Sequence, residues 1–126
     1  MYHVEISNNE GYIFNVRANE STFTIDAKGK GITPPDTLLA SIGSCIGVYL
    51  RKYTEGTKIP LNNVNISVSA DFTKERPVRF QDINVKISIN DSNLGETQKN
   101  ALLAFIRNCP VHNTLKNNPN VEISIV

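Results

Sequence analysis

Hydrophobic and polar residues alternate along two long stretches of this chain. Val64, Ile66, Val68, Ala70 and Phe72 are interleaved with polar residues, and so are Ile83, Val85, Ile87 and Ile89. A period of two marks a strand with one buried face, so both stretches are predicted to be strands, with Arg76-Pro77 in their connection. Shorter runs fill the first quarter. Tyr2 to Ser7 and Tyr12 to Arg17 flank Asn8-Asn9-Glu10-Gly11, whose Asn and Gly suit a tight hairpin, and Ser21 to Ile25 supplies a third strand of a small antiparallel sheet. Val121, Ile123 and Ile125 alternate in the same way and predict a last strand that closes the chain.

Between these strands the spacing becomes helical. Asp26 to Gly31 reads as a flexible connector, after which Thr33 is placed to cap a helix that opens on Pro34-Pro35-Asp36. The helix is predicted to run to about Tyr53 and to end near Glu55-Gly56, where glycine supplies a left-handed conformation. Its apolar residues, Leu38, Leu39, Ile42, Ile46, Val48 and Leu50, point to nearly all sides, which predicts a helix buried at the centre of the structure. A second helix is expected over Gly95 to Asn108, with Leu102, Phe105, Ile106 and Cys109 on one stripe. Pro110 then interrupts it or starts a short helix, and Asn117 to Asn120 form a turn.

A length of 126 residues, 40% of them hydrophobic, fits a single domain over residues 1–126, and a domain of this size often gains stability by pairing with a copy of itself. The formal charge is +1 and Lys and Arg form no cluster, so no nucleic-acid partner is expected. The first residues lack a basic segment followed by an apolar one, and the longest apolar stretch, Leu38 to Leu50, is too short to span a bilayer. A soluble cytoplasmic protein with no membrane partner is the expectation.

The chain has two cysteines, Cys45 and Cys109, which in a reducing compartment are either inert buried thiols or a transient bridge. Gly43 and Gly47, with Ala40, Ser41 and Ser44, strip bulk from the faces beside Cys45. A partner helix, a substrate or the second cysteine would use that space; tight helix packing around a small hydrophobe would use it equally. A reactive thiol needs a lowered pKa, and Cys45 has no cation within one helical turn. Arg51 lies six residues on, about 240° around the helix, so Arg17, Arg76 and Arg79 are the further candidates for an activating guanidinium. Cys109 and His112 share a short turn, in which His112 serves as a hydrogen-bonded structural residue or polarises the thiol. With only Cys45, His3 and scattered carboxylates besides, they fall short of a zinc site, and neither a metal nor a bound cofactor is expected.

Pro35-Asp36-Thr37-Leu38-Leu39-Ala40-Ser41-Ile42-Gly43-Ser44-Cys45 and Cys109-Pro110-Val111-His112-Asn113-Thr114-Leu115 resemble the two cysteine motifs of the OsmC/Ohr family of organic hydroperoxide reductases. The resemblance implies an α+β fold in which antiparallel sheets wrap around central cysteine-bearing helices in an intertwined homodimer, with each active site built from both subunits. It implies that Cys45 attacks the peroxide and becomes a sulfenic acid, that Cys109 resolves it as a disulfide, and that an external dithiol, in the family typically a lipoyl group, reopens the bridge. Bulky organic or fatty-acid hydroperoxides would be the substrates. Well-characterised members pair an Arg from the first hairpin with a Glu upstream of the first cysteine. Here the turn from Ser7 to Gly11 has no Arg, and the upstream acid is Asp36, taken with Cys45 and Cys109 as the candidate catalytic set. Two other readings stand beside this one: a noncatalytic small-molecule-binding or stress-associated protein of the same fold, and two structural cysteines lying beyond about 7 Å, too far apart to bridge.

Overall fold

A computed structural model describes residues 1–61, 63–89 and 94–126. Its described contacts gather into two units, Met1–Ala40 and Ser41–Val126.

In the first unit the hydrophobic alternation produces a three-stranded antiparallel sheet in the order β1 (Glu5–Ser7), β2 (Ile13–Ala18), β3 (Ser21–Asp26). The first turn forms as its residues predict: the Asn8 side-chain amide donates to the carbonyls of Glu10, Gly11 and Ile13, and Gly11 takes φ +64°. Ala18 pairs with Ser21 across a two-residue turn in which Asn19 adopts φ +57°, a conformation asparagine tolerates better than most residues. Ile6 stands opposite Val16, and Val16 opposite Phe23; only Val16 of the three is buried.

Helix α1 (Pro34–Thr57) begins in this unit and continues into the second. It ends differently from the prediction. Gly56 lies within the last turn, and the left-handed residue is Lys58, at φ +56°, which lets the Ile59 N–H reach back to the Thr54 carbonyl at 3.1 Å. The helix runs a turn past Tyr53 because Gly56 is accommodated within it and Lys58 supplies the left-handed residue.

The second unit contains a two-stranded antiparallel sheet of β4 (Val64–Phe72) and β5 (Phe80–Ile89), followed by α2 (Glu96–Ile106) and α3 (Pro110–Lys116). The predicted alternation sets the register: Val64, Ile66, Val68 and Ala70 face Ile89, Ile87, Val85 and Ile83. On α1 the buried positions Ile42, Ile46, Leu50 and Thr54 recur every four residues, and Gly43 and Gly47 bring the helix backbone against Val68 and Ile66. Tyr49 and Tyr53 of α1 hold Phe105 of α2, with ring centroids 5.9 and 5.4 Å apart.

Two expectations fail in the single chain. The burial predicted on nearly all sides of α1 is confined to one stripe, and Leu38 and Val48 are exposed. The predicted closing strand does not form: Val121, Ile123 and Ile125 are 73, 90 and 99% exposed and lie outside any sheet. A strand needs a neighbour for its N–H and C=O groups, and alternation by itself supplies none. No helix among the described residues is long and apolar enough to cross a membrane.

A cysteine pair joining two helices

Cys45 occupies the middle of α1, beside the stripe formed by Ile42, Ile46 and Leu50, and is half-buried. Cys109 arrives from the other direction. On α2, Leu102 and Ile106 are both 5% exposed, and this buried stripe leads one turn on to Cys109, which is fully buried. Cys109 is itself the N-cap of α3, with Pro110 in the first helical position, where its missing N–H is no loss. The sequence thus ends one helix, places the thiol in the corner, and starts another.

The two cysteines are joined as a disulfide, with 6.1 Å between their α-carbons and 64 residues between them in sequence. The separation lies within the range of roughly 4.4–6.8 Å that a bridge requires. The reading of two thiols too far apart to meet is overturned by this distance.

Asp36 takes up a role at the helix start. Its carboxylate accepts the Thr33 hydroxyl at 2.7 Å and the Thr33 N–H at 3.1 Å, while its own N–H donates to the Thr33 hydroxyl at 3.3 Å. This is a reciprocal capping box with aspartate in the acidic position. The Thr33 hydroxyl, and then the Thr33 N–H, hold the Asp36 carboxyl below the usual carboxylate range. Cys45 stands about two and a half turns further along the helix.

Three of the four candidate guanidiniums are engaged within their own surroundings. Arg17 pairs with Glu5, keeping that carboxyl low. Arg51 donates to the Leu61 carbonyl at 2.6 Å, and Arg79 to the Pro77 carbonyl at 2.9 Å. Arg76 is exposed in the β4–β5 connection. His112, in the first turn of α3, has its Nδ1 buried without a hydrogen-bond partner. Among the described residues no three His, Cys, Asp or Glu side chains gather as a metal-binding group.

Sequence reasoning missed one feature near the bridge. Ile87 and Ile89 of β5 with Lys99, Leu102, Leu103 and Ile106 of α2 line a largely apolar recess of about 390 Å³. The signal was present: Lys99, Leu102, Leu103 and Ile106 follow the spacing of a single helical face, with one cation at its end. The Ile106 carbonyl also accepts the Cys109 N–H at 3.2 Å, which ties the recess to the backbone of the second cysteine.

Comparison with known proteins accords with this architecture. The chain is similar to the OsmC-like protein of Mycoplasma pneumoniae, with a TM-score of 0.84 and 22% identity over 94% of this chain and 89% of that one. It resembles an organic hydroperoxide resistance protein OsmC of Legionella pneumophila (TM-score 0.67, 17% identity, 94% and 90% covered) and the organic hydroperoxide resistance protein OhrB of Bacillus subtilis (0.64, 17%, 94% and 92%). No curated protein matches it. At these identities the solved structures speak for the fold. A family model described as OsmC-like protein matches residues 27–124, which takes in both cysteines and the helices that carry them. The chain belongs to the OsmC-like protein family.

Proposed function

We propose that this protein is a thiol-dependent reductase of organic hydroperoxides, with Cys45 as nucleophile and Cys109 as resolving thiol. The observation that carries the reading is the bridge itself, since it joins the two family motifs through a pair of side chains able to cycle between dithiol and disulfide. The Cys45 thiolate attacks the terminal peroxide oxygen, the O–O bond breaks, and the alkoxide leaves as the alcohol after taking a proton. Cys45 is then a sulfenic acid, which Cys109 condenses with, releasing water, before it over-oxidises. An external dithiol of the lipoyl type reduces the bridge. The apolar recess at Ile106 supports an alkyl or acyl peroxide over hydrogen peroxide, because an apolar wall gains by covering a hydrocarbon tail.

The same proposal includes a homodimer. The exposed apolar side of α1 and the unpaired alternating segment at Val121 to Ile125 are surfaces that a second copy would cover. The test is a thiol titration before and after one equivalent of cumene hydroperoxide, followed by dihydrolipoamide. Both thiols are expected to be lost and then restored; Cys45→Ser abolishes turnover, and Cys109→Ser allows a first oxidation without a bridge. Thiols that survive the peroxide sink the proposal.

One observation favours a second reading. Arg17, Arg51 and Arg79 are all committed elsewhere, and Asp36 is committed to its cap. A protein that keeps the fold and the bridge without a cation for Cys45 would bind an apolar small molecule and turn over little peroxide.

A further inference from the structure

His112 Nδ1 is a buried side-chain nitrogen without a hydrogen-bond partner among the described residues, and nothing in the hydroperoxide scheme uses it. Buried polar groups are nearly always satisfied, so an orphan asks for a partner that appears in another state of the molecule. His112 is the third residue of α3 after its N-cap, Cys109. A side chain at that position reaches back toward the N-cap residue. There the Cys109 N–H is already taken by the Ile106 carbonyl, and the Cys109 carbonyl by the Asn113 N–H. Elsewhere on α3, Thr114 donates to the Pro110 carbonyl, and the amide of Asn117, the C-cap, donates to the Asn113 carbonyl. What remains at the N-cap is the sulfur.

We infer that His112 Nδ1 is the hydrogen-bond partner of the Cys109 sulfur in the reduced protein, and that His112 is a positioning residue for the resolving thiol. In the disulfide, Cys109 has no hydrogen to donate and is a weak acceptor, which leaves Nδ1 alone. Once the bridge opens, the thiol donates to Nδ1, or the thiolate accepts from it when it carries a proton. Within the hydroperoxide scheme, on which this step rests, the Cys109 S–H proton moves to Nδ1 while the sulfur electron pair forms the S–S bond to Cys45. The Cys45 S–O bond breaks, and the departing hydroxide takes the proton from Nδ1 and leaves as water. The imidazole ends as it began.

A hydrogen bond present only in the reduced form shifts the dithiol–disulfide equilibrium toward the dithiol. Titration of the purified protein in glutathione redox buffers is the experiment, with His112→Leu and His112→Asn beside the wild type. His112→Leu is expected to move the equilibrium about tenfold toward the disulfide, about 30 mV. His112→Asn, whose side-chain amide can set its carbonyl oxygen close to the place of Nδ1 to accept from the thiol, is expected to stay within about threefold of the wild type. Equal constants for all three folded proteins overturn the inference. Because His112→Leu can fail to fold, the unmutated protein gives a second readout: the His112 ring nitrogen resonances, followed from the oxidised to the dithiothreitol-reduced form. Nδ1 of His112 is expected to shift while His3 stays; a His112 Nδ1 that does not move overturns the inference. Neither measurement meets a peroxide, so such failure leaves the hydroperoxide reading standing. A protein showing the His112 dependence while ignoring cumene hydroperoxide supports this assignment and overturns that reading.

Discussion

Thr33 and Asp36 satisfy one another at the entrance to the cysteine helix, and both residues were visible in the sequence as a cap and a first-turn acid. Hydrogen bonding to the ionised Asp36 carboxyl keeps its folded pKa below its ordinary value of 3.8. A group depressed in this way contributes stability that is present above its unfolded pKa and is lost as the pH falls through the folded one. Wild type is therefore expected to melt above Asp36→Asn at pH 7, with the gap closing as melts are taken below pH 3.8. A gap that stays constant with pH would remove the charge from the account. Thr33→Ala, which strips the hydroxyl, is expected to cost about 1 kcal/mol in denaturant unfolding. Measuring peroxide turnover in the same variants separates the two roles open to Asp36, since a loss of rate beyond the loss of folded protein gives the carboxylate a part in the chemistry.

At the scale of elements, Gly43 and Gly47 look alike in sequence and differ in their surroundings. A Cβ at Gly43 would meet Val68 Cγ2 at 3.0 Å, and Val68 is β-branched with little freedom to turn aside. A Cβ at Gly47 would meet Ile66 Cδ1 at 3.2 Å, the far end of a side chain that can rotate. Each glycine forfeits roughly 1 kcal/mol of helix propensity relative to alanine. Gly43→Ala is thus expected to lower stability by about 1–3 kcal/mol through overpacking, whereas Gly47→Ala is expected to be neutral or to gain up to about 1 kcal/mol. Paired denaturation curves decide, and the same sign for both would show that the sheet yields equally at the two places. The elements themselves were largely legible: alternation gave β4 and β5 with their facing residues, and the stripe of α2 led inward to Cys109. The exit of α1 was not, because a lysine took the left-handed position that composition assigns to glycine. Nor did periodicity reveal the pairing of Cys45 with Cys109. That is a contact across 64 residues, and helical spacing speaks only of neighbours a turn or two away.

Over the whole molecule, the mismatch between apolar pattern and burial is the main physical fact. Leu38 and Val48 are 39 and 51% exposed on α1, and Ile6 and Phe23 are 56 and 48% exposed on the first sheet. Residues of this kind favour association. Light scattering after size exclusion is expected to give twice the mass of one chain, and Val48→Lys to shift the population toward single chains. A wild type that elutes as one chain at all concentrations would contradict the homodimer. The alternation that misplaced the last strand belongs to the same account, since a pattern can specify a buried face without saying which copy buries it. The bridge between the helices has a further property. Cys109 has no exposed surface, whereas Cys45 is half-buried. In thiol–disulfide exchange the sulfur that can be reached is the one attacked, and the other departs. On the proposed scheme the bond would therefore be polar in its traffic: incoming reagents of either kind, oxidant or thiolate, would be received at α1, mixed disulfides would form there, and the sulfur at the head of α3 would only be released or recaptured from within.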